Sequence, residues 1–229
     1  MSQNCVADIF SMEDKSTPCI DDYDALIIGT PVHHGAPSPI FMRYCEMMPQ
    51  LVKETPAFIY STCGLNSFNT NQIISRKLSQ KNIVTIMDRD YRGPASDGAI
   101  IAPFIKRFFE FEKDIEKKIE SDCAVFLDLL KKVEPQGYIP RFRLGSIINA
   151  PNKLAGWLVT LKIYLHKNKC ARCGKCIEQC PNSAFFFDKN GYPFYSSKNC
   201  ENCYRCIHHC QNAALSLSKC RTLKKLLRY

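Results

Sequence analysis

Apolar residues in the first hundred positions fall into short unbroken runs. Residues 25–29 (ALIIG), 57–60 (AFIY) and 83–87 (IVTIM) are apolar at both alternating sets of positions. That pattern predicts strands buried on two faces. Between them the period changes. Residues 40–48 follow Pro39, a good first helical residue, and residues 69–78 begin at the candidate caps Asn69 and Thr70. Strands alternating with helices predict a parallel sheet covered by helices. After Pro103, apolar positions Phe104, Phe108, Phe111, Ile115, Ile119, Cys123, Phe126, Leu130 and Val133 step by three or four. They predict a long helix, with one break near 120–122, ending at Pro135-Gln136-Gly137. In 151–167, Leu154, Trp157, Leu158, Leu161 and Tyr164 have helical spacing. A helix docking two domains is expected there, with an interfacial membrane helix as the alternative. Residues 221–229 form a short basic amphipathic tail.

Composition changes the picture in one respect. The 229 residues are 45% hydrophobic and 23% charged, an ordinary globular mixture, but 14 are cysteine. Cys5, Cys19, Cys45, Cys63, Cys123 and Cys220 are scattered, and the other eight lie between 170 and 210. No basic-then-apolar leader precedes them, so a reduced, cytoplasmic setting is expected, with the scattered six as buried thiols. Residues 1–135 carry 15 Lys+Arg against 19 Asp+Glu, whereas residues 136–229 carry 16 against 3. Two domains of different surface charge follow.

The eight clustered cysteines form a repeat. Cys170, Cys173, Cys176 and Cys180, spaced x2, x2 and x3, recur thirty residues later as Cys200, Cys203, Cys206 and Cys210. Ile177 matches Ile207, Asn182 matches Asn212 and Ala184 matches Ala214, so the unit is an internal duplication. Structural zinc sites use paired Cys-x2-Cys units across a longer loop, which this spacing does not follow. Three thiolates two residues apart wrap a loop around a cube of iron and sulfide, and the motif resembles that of two-cluster bacterial ferredoxins. That resemblance implies two [4Fe–4S] clusters with crossed ligation. Cys170, Cys173, Cys176 and Cys210 would hold one, and Cys200, Cys203, Cys206 and Cys180 the other. Gly174 suits a close backbone approach to sulfide, but Tyr204 stands at the equivalent place, and Gln211 replaces the proline that follows Cys180. The aromatic segments 185–187 and 192–195 around Asn190-Gly191 predict a hairpin over one cluster. His208 and His209 are expected at the surface.

Upstream, the Asp22-Tyr23-Asp24 lead-in, the Gly29-Thr30-Pro31-Val32 run and the loops after two of the strands resemble the flavodoxin family. The resemblance implies an FMN contact by Thr30, Pro31, Val32, His33, His34 and Gly35 and by Ser61, Thr62, Cys63 and Gly64. A structural, buried role is the more natural reading of Cys63. Flavodoxins open with a strand and a Ser/Thr/Gly-rich phosphate loop; here residues 6–10 (VADIF) read as the second strand of the 2-1-3-4-5 order. An N-terminally incomplete domain with a bare interior strand edge, and little FMN binding by the chain as written, is therefore expected.

The whole chain resembles flavodoxin–ferredoxin fusion proteins of anaerobic prokaryotes. The expected fold is an α/β flavodoxin-like parallel sheet followed by a small α+β ferredoxin domain. The expected divisions are 1–134 for the flavodoxin-like part, 135–166 for a linker and docking helix, 167–219 for the ferredoxin part and 220–229 for the tail. No catalytic constellation emerges, so an electron carrier is expected rather than an enzyme. A flavin-dependent reductase with substrate near His33 and His34 is the alternative, and a docking module is a third reading. Two oxidised clusters bring about −4 of charge, which offsets part of the basic half. The remainder suits redox partner proteins with acidic surfaces. No nucleic-acid motif is present, and peripheral membrane contact is the lesser expectation.

Overall fold

The computed structural model describes residues 5–13, 19–33, 35–64, 66–93, 112–132, 136–144 and 162–217. The chain divides into two compact units, one of Met1–Tyr91 with Glu112–Arg143 and one of Arg92–Phe111 with Leu144–Tyr229. Among the described residues no helix is long and apolar enough to cross a membrane.

The first unit is a mixed α/β sheet with a parallel part. Strands β1 (Leu26–His33), β2 (Ala36–Pro37), β3 (Thr55–Cys63) and β4 (Ile83–Arg92) lie in the order β2-β1-β3-β4. β1 and β3 are parallel, in register from Leu26 opposite Ala57 to Pro31 opposite Thr62. Alternate side chains of β3 enter different cores. Ala57 and Ile59 join Phe41 and Cys45 of helix α1 (Pro39–Met47) and Ile74 and Leu78 of helix α2 (Thr70–Ser79). Phe58 joins Ile86, Met87 and Tyr91 of β4 and Phe126 of helix α3 (Ile115–Leu130). The two-sided burial is the reason these strands read as unbroken apolar runs. α1 starts cleanly, because the Ser38 hydroxyl accepts the Phe41 N–H at 3.2 Å and Pro39 supplies a preset φ.

Polar clamps fix the helices and the segment that follows them. Asp122 of α3, 8% exposed, accepts from Arg89 Nε at 2.8 Å and from the Tyr91 hydroxyl at 2.9 Å. Residues 136–143 strap the outer edge of β4 to α2. Tyr138 N–H donates to the Thr85 carbonyl at 2.8 Å, Gln72 Nε2 to the Pro140 carbonyl at 3.0 Å, and Arg143 N–H to Asn69 Oδ1 at 2.7 Å.

Three expectations are corrected. Residues 6–10 form no strand; Val6 and Ile9 are 91% and 96% exposed, and Phe10 turns edge-on to Tyr23 at 6.0 Å. With no partner strand beside it among the described residues, a short apolar segment gains nothing from extension. α3 runs unbroken through 120–122, because Asp122 is drawn inward by Arg89 and Tyr91 rather than breaking the helix. Cys5 and Cys19 are exposed and Cys123 is half-buried; Cys45 and Cys63 alone among the described scattered cysteines are buried. Cys5 lies in the same strandless, exposed segment, so nothing among the described residues covers its thiol. Cys220, the tail, His34, and the parts of the expected helices at 104–111 and 151–161 lie outside the described residues. Along 26–31 of β1 no described strand lies opposite β3, since β2 pairs only with Val32 and His33.

The second unit opens and closes on one ladder. β5 (Tyr164–Leu165) pairs antiparallel with β8 (Leu215–Ser216). Tyr164 and Leu165 are therefore extended where a helix was expected. Between them a hairpin joins β6 (Phe185–Phe187) to β7 (Pro193–Tyr195), and two single-turn helices, α4 (Lys175–Glu178) and α5 (Arg205–His208), carry the cysteines. The Asp188 carboxylate accepts the N–H groups of Asn190 and Tyr192, both at 2.8 Å, and Gly191 takes φ 73° at the end of the turn. Ile163, Phe185, Tyr204, Cys206, Ile207, Leu215 and Leu217 form the core.

Candidate metal centre

The duplication in sequence is a duplication in backbone. Arg172 (φ 55°) and Gly174 (φ 76°) take the left-handed conformation in the first cysteine loop; Asn202 (φ 55°) and Tyr204 (φ 56°) do so thirty residues later. Ser183 and Ala213 repeat it beyond the fourth cysteine of each set, at φ 49° and 47°. Alternating backbone handedness turns successive N–H groups into one concavity, a cradle for anionic atoms. The Arg172 N–H donates to Cys170 Sγ at 3.4 Å. The N–H groups of Ala184 and Ala214 donate to Cys180 and Cys210 Sγ, each at 3.2 Å. Such bonds hold a sulfur as acceptor, the role it has when bound to iron.

The helices then set which thiols meet. Cys176 and Cys206 lie in the turns α4 and α5, and Cys180 and Cys210 lie two residues past them. The electrostatic neighbours of Cys176 are Cys170, Cys210 and Cys173; those of Cys206 are Cys203, Cys200 and Cys180, with Cys176 after them. Each fourth cysteine thus faces the other repeat's loop. Burial pushes the Cys176 thiol up to about 11, and the neighbouring thiols push the same way. Burial likewise raises Cys206, Cys200 and Cys203. Without metal these groups are neutral thiols, so loading must expel their protons.

No three His, Cys, Asp or Glu side chains among the described residues converge closely enough to hold a single ion. Cys180, Cys200, Cys203 and Cys206 instead line a small hollow of about 20 Å³, partly open to solvent and walled by Ile163, Phe185 and Tyr204. Four soft sulfur donors around this apolar-walled hollow, with four more in the matching repeat, fit iron–sulfur chemistry.

Tyr204 is the departure that the structure accounts for. At 8% exposed, its ring belongs to the core, which offsets a left-handed backbone that costs a non-glycine residue about 1–2 kcal/mol. At the equivalent Gly174, an added Cβ would meet Phe187 at 3.4 Å. Sequence reasoning missed a second feature beside the first loop. Arg172 and Lys167 both lie against the Tyr192 ring, 4.2 and 5.0 Å from its centre, and Arg172 also donates to the Tyr192 hydroxyl at 2.8 Å. An aromatic between cations was visible in the sequence only as another hairpin tyrosine. His208 and His209 are exposed.

In the first unit the two candidate flavin segments belong mostly to strands where loops were expected, with Thr30–His33 ending β1 and Ser61–Cys63 ending β3. The first is tight, since β1 continues through Thr30, Pro31, Val32 and His33 and turns at Gly35 (φ 76°) into β2. The Thr30 hydroxyl is engaged with Ser38 at 3.0 Å, and the Ser61 hydroxyl donates to Asp90 at 3.0 Å. Thr62 is exposed, Cys63 is buried and Gly64 is half-buried. Asp90 and Asp88 in turn accept from Asn71, at 2.9 and 3.2 Å, an assembly that the sequence did not signal.

The 4Fe-4S binding domain family matches residues 163–186, which contain the first four clustered cysteines. The chain is also similar to the pyruvate synthase subunit PorD of three archaea. With that of Pyrococcus horikoshii it shares 36% identity over 87 residues, 37% of this chain and 70% of the relative. The protein of Pyrococcus abyssi is 33% identical over 87 residues, covering 37% and 70%. That of Pyrococcus furiosus is 34% identical over 85 residues, covering 36% and 68%. With its cysteine loops, its sulfur-directed N–H groups and this degree of identity, the chain belongs to the family of the pyruvate synthase subunit PorD, and is a ferredoxin-like iron–sulfur protein of electron transfer.

Proposed function

We propose that residues 162–217 hold two [4Fe–4S] clusters and relay low-potential electrons between protein partners. Cys170, Cys173, Cys176 and Cys210 ligate one cluster, and Cys200, Cys203, Cys206 and Cys180 the other. The observation that carries this is the grouping of each fourth cysteine with the loop of the other repeat. Two clusters inside one small core give a short path for single electrons. The relatives' names point to a complex of the pyruvate synthase kind as the partner class. Anaerobic reconstitution with iron and sulfide, followed by metal and acid-labile sulfide assays, tests it. About eight irons and eight sulfides per chain are expected; about four of each would leave a single-cluster protein.

The finer reading of the first unit is a flavodoxin-like sheet coupled to FMN. It is supported by the parallel β1–β3 pair and the adjacent segments that end them. With Thr30 and Ser61 engaged inside the fold, the flavin contacts would come from backbone groups, His33 and Thr62. Fluorescence titration with FMN tests the coupling, and unquenched flavin at saturating protein would leave the clusters to act alone. A flavin-fed reductase would further require turnover of a substrate at that loop.

A further inference from the structure

The duplication supplies an internal control for surface charge. The first loop and its approach carry Lys167, Lys169, Arg172 and Lys175, all exposed. Thirty residues on, the matching positions carry Ser197, Asn199, Asn202 and Arg205, while Lys198 stands where the first loop has Asn168, so the second loop has two cations against four. The repeated architecture therefore does not need all four cations, and the excess serves something besides ligand geometry. They are also held in place. Lys167 and Arg172 lie on the Tyr192 ring, and Arg172 is pinned to its hydroxyl, which fixes two flexible side chains beside the loop. Coverage differs in the same sense. The second loop has the buried Tyr204 where the first has Gly174, and Cys206 is buried where Cys176 is half-buried.

We propose that this cationic rim is the docking port for a redox protein with an acidic surface, and that electrons cross there by way of the cluster of Cys170, Cys173, Cys176 and Cys210. This rests on the two-cluster reading above. A positive rim beside the less covered cysteine loop, two of its cations held on Tyr192, steers an acidic partner toward that loop, and it does so over a Debye length. The covered second cluster then serves as the inner store.

The test uses the reconstituted full chain, reduced anaerobically and mixed by stopped flow with small oxidants of opposite charge. One electron leaves a reduced cluster for ferric EDTA, an anion, giving the oxidised cluster and ferrous EDTA. Hexaamminecobalt(III), a cation, is the counterpart. For the natural chain, the ferric EDTA rate should fall with added salt and the cobalt rate should rise. Replacement of all four residues by Gln should slow ferric EDTA about tenfold, speed the cobalt complex, and abolish both salt slopes. Lys167→Gln with Lys169→Gln, which leaves the cysteine loop intact, should give part of each change. Poly-L-glutamate should slow the natural chain with ferric EDTA and leave the fourfold variant unaffected. Rates and salt slopes unmoved by either variant would overturn the port. So would failure of poly-L-glutamate to compete while phosphatidylglycerol vesicles bind the natural chain, since the rim would then be a membrane contact. Iron content and the EPR of the reduced protein report on the two-cluster reading separately: eight irons with unchanged rates would refute the port alone.

Discussion

On the proposed crossed ligation, Cys180 closes a quartet that its own loop does not contain. Its sulfur accepts the Ala184 N–H at 3.2 Å and lines the hollow with Cys200, Cys203 and Cys206. Cys180→Ser should therefore damage the cluster of the second loop and spare the first, leaving about four to five irons per chain. EPR of the reduced variant together with iron quantitation checks this. Selective loss of the cluster at Cys170, Cys173 and Cys176 would show that each motif closes on itself. The 4Fe-4S motif was legible because thiolate spacing is set by the metal, and the chain cannot disguise it. The role of Tyr204 was not, since a tyrosine at a glycine position reads as a conflict until the core that receives its ring is known.

At the scale of elements, α3 rests on β4 through Phe126 and through Asp122, whose two oxygens are taken by Arg89 and Tyr91. The neighbouring carboxylate and burial both raise the Tyr91 hydroxyl, burial most, so that hydroxyl stays a donor. Asp122→Ala should lower stability by about 1–3 kcal/mol, because it leaves a buried hydroxyl and a half-buried guanidinium without their acceptor. Asp128→Ala, which removes an exposed ion pair with Lys131, should change it by less than about 0.5 kcal/mol. Urea midpoints of the two variants decide, and equal midpoints would count against the clamp. β1, β3 and β4 were legible as apolar runs, yet each extends past its run. In β4 the added residues include Asp88, Arg89 and Asp90, which side chains from α2, α3 and the 136–143 strap neutralise or bond. Hydrophobic pattern carries no sign of a polar strand end that partners distant in sequence hold. The opposite error arose at residues 6–10, where a strand-like apolar segment joins no sheet among the described residues.

For the molecule as a whole, alkali is the expected weakness of the first unit. Burial pushes the Cys45 thiol up to about 11 and raises Tyr44, Tyr91 and Tyr138 as well. A raised folded value means the neutral form is the one the fold favours. That stability is whole below the unfolded thiol value of about 8.5 and is lost as pH climbs through 11. Urea midpoints of the metal-free chain should fall between pH 8 and pH 10.5, and Cys45→Ala should flatten the slope while lowering the midpoint at pH 8. A slope unchanged by Cys45→Ala would assign the loss to the tyrosines and the other thiols raised by burial. The charge asymmetry between the halves and between the two cysteine loops was legible from the sequence, but the seating of Lys167 and Arg172 on the Tyr192 ring became visible only in the structure. The β5–β8 ladder has a further consequence. Because Tyr164 sits opposite Ser216 and Leu165 opposite Leu215, the cysteine-bearing segment leaves from and returns to adjacent strands, about 5 Å apart. Topologically it is a closed loop with a two-rung clasp. It is the kind of segment that can be spliced into a surface turn of another protein without prising that turn open, or reopened at residues 189–190 and rejoined at the clasp with its metal-binding residues still in the same places.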